Sequence, residues 1–200
     1  MTKIKTRSGK MLLTVILIVV GAIVLMGTWL SSSYNNLVTL RGGIDNAWSN
    51  VQVQYQRRAD LVPQLVSTVK GAANFEQETL TAVTEARTKW LGSQQSGDIS
   101  QEIDAANQFD SAMSRLLVTV ESYPTLKATE NFQALQAQLE GTENRISVSR
   151  KQFNDIVLPY NIRVKRFPTV FIANMFGFDP QPFFEANQKA QDAPVVNFQQ

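Results

Sequence analysis

ATENFQALQAQLEGTENRISVSRKQFNDIVLPYNIRVKRF, residues Ala128 to Phe167, places an apolar side chain at every seventh position: Phe132, Leu139, Ile146, Phe153, Tyr160 and Phe167. Seven residues make two helical turns, so these side chains share one stripe of an α-helix. Leu135 and Ile156 begin a companion track, which Thr142, Ser149 and Arg163 interrupt. A helix from Ala128 to Arg166 would be about 58 Å long. Within it Gly141 costs about 1 kcal/mol relative to alanine, and Pro159 introduces a kink.

Working upstream, Pro124 stops a preceding helix whose Ile103, Ala106, Met113, Leu117 and Val120 face inward, and Asp98 with Gln101 has the spacing of a capping box at its start. Before that lies the turn-rich SQQSGD, introduced by Gly92. From Tyr34 onward two more seven-residue tracks run in phase. One holds Leu37, Ile44, Val51, Leu65 and Ala72, the other Tyr34, Trp48, Tyr55, Val62 and Val69. Their phase survives Pro63, which reads as one long kinked helix over about 33–91 ended by Gly92, with a break near Asp60 as the alternative. No strand framework is legible. The expected fold is therefore all-α: a single N-terminal transmembrane helix followed by an antiparallel up-and-down bundle of three to four long helices.

The membrane segment is Met11 to Leu30, MLLTVILIVVGAIVLMGTWL, 20 residues without a charge and with 12 Leu, Ile or Val. It is long enough to span a bilayer core of about 30 Å. On the translocon scale its aliphatic residues supply roughly 4–7 kcal/mol of gross insertion free energy. A cleaved signal peptide would have a shorter apolar core and a small-x-small cleavage site, and a lipoprotein anchor would need a cysteine. Lys3, Lys5, Arg7 and Lys10 precede the run and no acid accompanies them, which predicts a cytoplasmic N-terminus and an exported remainder. Removing those four from the 19 basic residues leaves 15 against 17 acidic ones, so the large part is mildly acidic and offers no basic surface for nucleic acid. The chain thus divides into a basic cytoplasmic tail (1–10), an anchor in the bacterial cytoplasmic membrane (11–30), a helical bundle outside the cytoplasm (31–185) and a loose C-terminal tail (186–200).

There is no His and no Cys. That removes imidazole bases, thiol nucleophiles, disulfides and ordinary zinc sites. Ferritin-like sites need Glu-x-x-His pairs, no acid-rich calcium loop occurs, and Gly42-Gly43 lacks the context of a phosphate loop, so no cofactor and no metal are expected. Charged residues nonetheless sit among the apolar tracks: Arg57, Arg58 and Asp60 on the first long helix, with Glu121, Glu143, Arg145, Arg150 and Asp155 inward or flanking elsewhere. Unpaired charge in a core is costly, so these eight are expected to pair across helices as a structural ion network. The alternative is a membrane-tethered hydrolase or lyase using carboxylates such as Glu121 and Glu143. The stretch from Phe167 to Phe184 contains six of the eleven Phe and three Pro. It reads either as a short helix, capped near Gly177, that folds back over the bundle end, or as an exposed patch in which Phe171, Phe176, Phe178, Phe183 and Phe184 dock a partner or the bilayer interface.

Several blocks resemble one family: Tyr34-Asn35-x-Leu37-Val38, Ala47 to Gly71 (AWSNVQVQYQRRADLVPQLVSTVKG), Glu121-Ser122-Tyr123-Pro124-x-Leu126-Lys127, Asn131-Phe132, Leu139 to Arg150 (LEGTENRISVSR), Tyr160-Asn161, Arg166-Phe167-Pro168 and Phe176-Gly177-Phe178. Together, over residues 34–185, they resemble the LemA family. The resemblance implies a bacterial membrane protein with one N-terminal anchor, an all-helical bundle and no assigned enzymatic activity. The long heptad track and the absent catalytic residue types predict a protein partner or a homo-oligomer, and the resemblance suggests a membrane protease as one candidate partner. Where many relatives carry an aromatic residue and a histidine, this chain reads Ala72-Ala73-Asn74-Phe75-Glu76, so a role resting on that histidine does not transfer. Residues and resemblance together predict a non-catalytic scaffold or interaction module, bound to the bilayer through residues 11–30.

Overall fold

The computed structural model describes residues 5–71 and 75–185, with side chains described from Met11 onward. The terminal tails assigned above, 186–200 and the side chains of 1–10, lie outside the described residues, as does Ala72. Among the described residues every regular element is helical: α1 (Lys5–Lys70), α2 (Gln77–Ser93), α3 (Ile99–Val120), α4 (Pro124–Lys127), α5 (Glu130–Lys165) and α6 (Thr169–Phe176).

The first helix differs from the expectation at both ends. It begins before the apolar run and continues through it and through Pro63 without a break, for 66 residues. It then stops at Lys70 instead of reaching residue 91, and α2 is a separate helix that includes Gly92. Gly71 follows the last helical residue, and Glu76 has an extended backbone (φ −61°, ψ 110°) at the start of α2. Glycine is a poor helix former, and within α2 Leu80, Val83 and Trp90 are buried. The apolar run itself is bare: Leu13, Leu17 and Leu25 are 63%, 63% and 71% exposed. It is the one described stretch long and apolar enough to cross a membrane.

Proline within α1 needs an explanation. Pro63 has no N–H, so the carbonyl of Ala59 loses its usual partner four residues on. Arg87 of α2 takes that place, donating its Nε–H to the Ala59 oxygen at 2.7 Å. Arg87→Ala is therefore expected to cost about 1–3 kcal/mol, the penalty of a buried carbonyl left unpaired. In a Pro63→Ala background, where the helix can supply its own N–H, the cost should shrink. A double-mutant cycle by denaturant unfolding measures the coupling, and strictly additive effects would refute the explanation.

The chain divides into two units. The first comprises residues 44–157 together with the chain from Gln181 on. Here Ile44, Val51, Tyr55, Val62, Leu65 and Val69 of α1 are buried, as are Phe109 and Leu116 of α3 and Phe132, Leu139, Ile146 and Phe153 of α5. The seven-residue tracks thus mark the core. Helices α2 and α3 pack together across a short turn in which Gly97 has φ +65°, a left-handed conformation suited to glycine. Asp98 caps α3: its carboxylate accepts the Ser100 N–H at 2.9 Å and the Gln101 side-chain amide at 2.9 Å. These hydrogen bonds, that from Gln101 first, hold the Asp98 carboxyl below its ordinary pKa. Pro124 occupies the first turn of α4, where a missing N–H leaves no helical hydrogen bond unmade.

The second unit comprises the chain up to Gly43 and Leu158–Pro180. Helix α6 buries Thr169, Ile172 and Ala173 and ends at Gly177, whose φ of +72° makes a left-handed cap. The Phe178 N–H closes that cap on the Ala173 carbonyl at 2.9 Å. Phe176 and Phe178 pack edge-on against Tyr34 of α1, with ring centroids 4.8 and 5.7 Å away. Tyr160 is buried and donates to the Asp179 carbonyl at 3.0 Å. Phe167, the last member of the α5 track, is 74% exposed, because α5 ends at Lys165 and the stripe ends with it.

Candidate functional site

The polar centre of the larger unit grows out of the seven-residue tracks. Arg58 stands on the track of Leu37, Ile44, Val51 and Leu65, seven residues from two of them, so the helix carries it inward. It is only 3% exposed. Asp110 stands on the track of Ile103 and Leu117 of α3 in the same way. Glu143 and Arg150 are two turns apart on α5. The four meet. Arg58 Nη1 donates to Asp110 Oδ1 at 2.5 Å, and its Nη2 pairs with Glu143. Arg150 donates to the other Asp110 oxygen and to the Tyr55 hydroxyl. That hydroxyl lies 3.0 and 3.1 Å from the two Asp110 oxygens. Both guanidinium groups also face the Tyr55 ring, at 5.6 and 5.3 Å from its centroid, and Arg150 lies 4.6 Å from the ring of Phe184.

Burial opposes charge on every inner member of this cluster. It pushes the Asp110 carboxyl up to about 6, against the charge and hydrogen bond of Arg58. It pushes Arg150 down to about 10, and lowers Arg58 despite the pull of Asp110. Desolvation is the largest influence on each of the three groups. A carboxyl with a raised folded pKa binds its proton more tightly when folded. Its stabilising contribution is full below its ordinary value of 3.8 and is lost as pH rises through about 6. From this group alone stability should fall by on the order of 3 kcal/mol across that window. Asp110→Asn should remove that part of the slope. Denaturant midpoints of both proteins at about pH 4 and pH 7 test it, and parallel pH profiles would refute it.

Beside the cluster lies a cavity of about 540 Å³ between α3 and α5. Met113, Leu117, Val120, Phe132 and Leu139 form an apolar wall, and Arg58, Asp110, Glu143, Arg150 and Glu185 form a charged end. Among the described residues no three acids converge as a metal site would require.

A family model described as the LemA family matches residues 47–198. The chain belongs to the LemA family. Among curated proteins, this LemA-family chain is 25% identical to magnetosome protein MamQ 2 of Paramagnetospirillum magneticum over 186 residues, 82% of this chain and 68% of that protein. It is 25% identical to magnetosome protein MamQ of Magnetospirillum gryphiswaldense over 192 residues, 84% and 70% of the two chains. With protein LemA of Metamycoplasma hominis it shares 27% identity over 154 residues, covering 77% and 69%.

Of the eight charged residues singled out in the LemA-family sequence, Arg58, Glu143 and Arg150 meet in the cluster. The other five lie elsewhere. Asp60 is exposed and accepts from Gln56 at 2.8 Å, Glu121 lines the cavity beside the cluster, as Glu143 does, and pairs with Lys127 at 2.5 Å, and Asp155 pairs with Lys151 at 2.7 Å. Arg57 and Arg145 are exposed beside a separate cavity with Asp60 and Thr142. Two central residues escaped the sequence reading. Asp110 is the hub of the cluster, and its seven-residue spacing from Ile103 and Leu117 was the available signal. Glu102 is 2% exposed and accepts from Trp48 Nε1 at 3.2 Å and Gln52 Nε2 at 2.7 Å. Of the five phenylalanines singled out, Phe184 is buried, stacked 5.6 Å from Trp48 and edge-on 5.9 Å from Phe153. Asn154 clasps its backbone by two hydrogen bonds of 2.9 Å. Phe178 is half-buried against Tyr34, and Phe171, Phe176 and Phe183 are exposed.

Proposed function

We propose that this LemA-family protein is a single-pass protein of the bacterial cytoplasmic membrane, N-terminus inside. Its helices outside the membrane form an antiparallel up-and-down bundle and act as a non-catalytic interaction module for a protein partner or a second copy. The order of the side-chain pairs supports the topology. Between α1 and α3 the numbers rise together, from Trp48 with Glu102 to Arg58 with Asp110. Between α1 and α5 they run oppositely, from Trp48 with Phe153 to Arg58 with Glu143. Between α1 and α2 they also run oppositely, from Tyr55 with Trp90 to Ala59 with Arg87.

The observation that carries the functional reading is where the chain spends its charged groups. Asp110, a carboxyl that burial pushes up to about 6, is engaged by Arg58, Arg150 and Tyr55 at once. A group so placed holds three helices in register, whereas an acid or base must present a free lone pair or proton to substrate. Crosslinking in native membranes at native expression tests the proposal. Recovery of a defined partner or a homo-oligomer is expected, and recovery of monomer alone would overturn it. A reporter fused after Gln200 that is active only outside the cytoplasm is the expected result for orientation.

A further inference from the structure

Helix α6 packs only one side. Ile172 and Ala173 are buried, while Phe167, Phe171 and Met175 are 74%, 67% and 64% exposed. Its C-terminal end is tied by Phe176 and Phe178 to the ring of Tyr34. Tyr34 follows Leu30, the last residue of the apolar run, by four positions on the same helix, about 6 Å along its axis. That distance is the thickness of the headgroup layer above a bilayer core. The parts of this unit beyond the span, residues 31–43 and 158–180, carry Arg41, Arg163, Lys165 and Arg166 against Asp179 alone. An exposed aromatic face, tied at its C-terminal end at headgroup height and bordered by net positive charge, matches the chemistry of an anionic lipid surface.

We propose that α6 is a second membrane contact: Phe167, Phe171 and Met175 enter the boundary between headgroups and acyl chains of the bilayer that α1 spans, and Lys165 and Arg166 engage anionic headgroups. The continuity of Tyr34 with the apolar run favours lipid over a protein partner, because the C-terminal end of α6 is tied four residues beyond the end of that run. The inference rests on the anchored reading above, and the test separates the two.

The chain has no cysteine, so single-cysteine labelling is clean. A nitroxide is placed through Phe171→Cys or Met175→Cys in the full-length protein, reconstituted into vesicles of phosphatidylcholine alone or mixed with phosphatidylglycerol. Ile18→Cys reports the span, and Val148→Cys, at an exposed position of the other unit, reports water. Both substituted α6 positions are exposed, so folding is not at stake. In the anionic vesicles, labels at 171 and 175 should be relaxed by oxygen and shielded from a nickel chelate, as at 18 and unlike 148. Lys165→Glu with Arg166→Glu should lower the docked-to-undocked ratio by roughly fivefold or more for each residue changed. A lipid signal at 18 with aqueous signals at 171 and 175 in both vesicle types overturns the inference and leaves the anchor standing. An aqueous signal at 18 overturns both. Equal depth in the two vesicle types, unchanged by the charge reversal, overturns the role of Lys165 and Arg166.

Discussion

Arginine at both Val19 and Ile23 is expected to move the protein out of the carbonate-resistant membrane fraction. The two positions are one helical turn apart in the middle of the apolar run, and both are at least half exposed. Exchanging an aliphatic residue for arginine at the centre of a span shifts insertion by about 3–4 kcal/mol, so the pair opposes it by roughly 6–8 kcal/mol. The run's own gross preference of roughly 4–7 kcal/mol does not reliably survive that. Val19→Leu with Ile23→Leu should leave the distribution unchanged. Retention of the double arginine variant in the pellet after alkaline extraction would show that something other than this helix holds the protein there.

The second large effect lies in the aromatic centre of the other unit. Phe153→Ala should cost about 3–5 kcal/mol, the transfer and cavity cost of a fully buried ring. The ring sits edge-on to Trp48 at 5.2 Å and to Phe184 at 5.9 Å, so its loss takes one ring contact from each. At about 2–4 °C per kcal/mol, the thermal midpoint of the detergent-solubilised protein should fall by roughly 10 °C. Phe153→Leu retains most of the volume and should cost under about 1.5 kcal/mol. Equal midpoints for wild type and Phe153→Ala, followed by circular dichroism, would place the core elsewhere.

How much of this was legible depended on the range of the interaction. Leu37 to Val69 on α1 and Phe132 to Tyr160 on α5 announced their inner faces, because two helical turns return a side chain to the same side whatever surrounds it. The caps at Asp98 and Gly177 were legible for a similar reason, since each is satisfied within a few residues. The end of α1 at Lys70 was hidden by the regularity of the sequence: the heptad phase ran on toward Ala72, and nothing local outweighed it. Pro63 drew attention as a breaker, yet its missing hydrogen bond is offset by Arg87, a residue 28 positions away from the carbonyl it serves.

The sequence by itself determined that this chain is helical, that one segment of it is long and apolar enough to cross a membrane and that His and Cys chemistry is closed to it, because composition and period act over a few turns and need no partner. Only the tertiary structure decided which charges meet and which phenylalanines are covered. Asp110 became a hub because α1 and α5 bring Arg58 and Arg150 to it. Phe184 is buried where Phe171 is not because Trp48, 136 residues earlier, is there to receive it. Pairing and burial are properties of two surfaces at once, and a periodicity records only one of them.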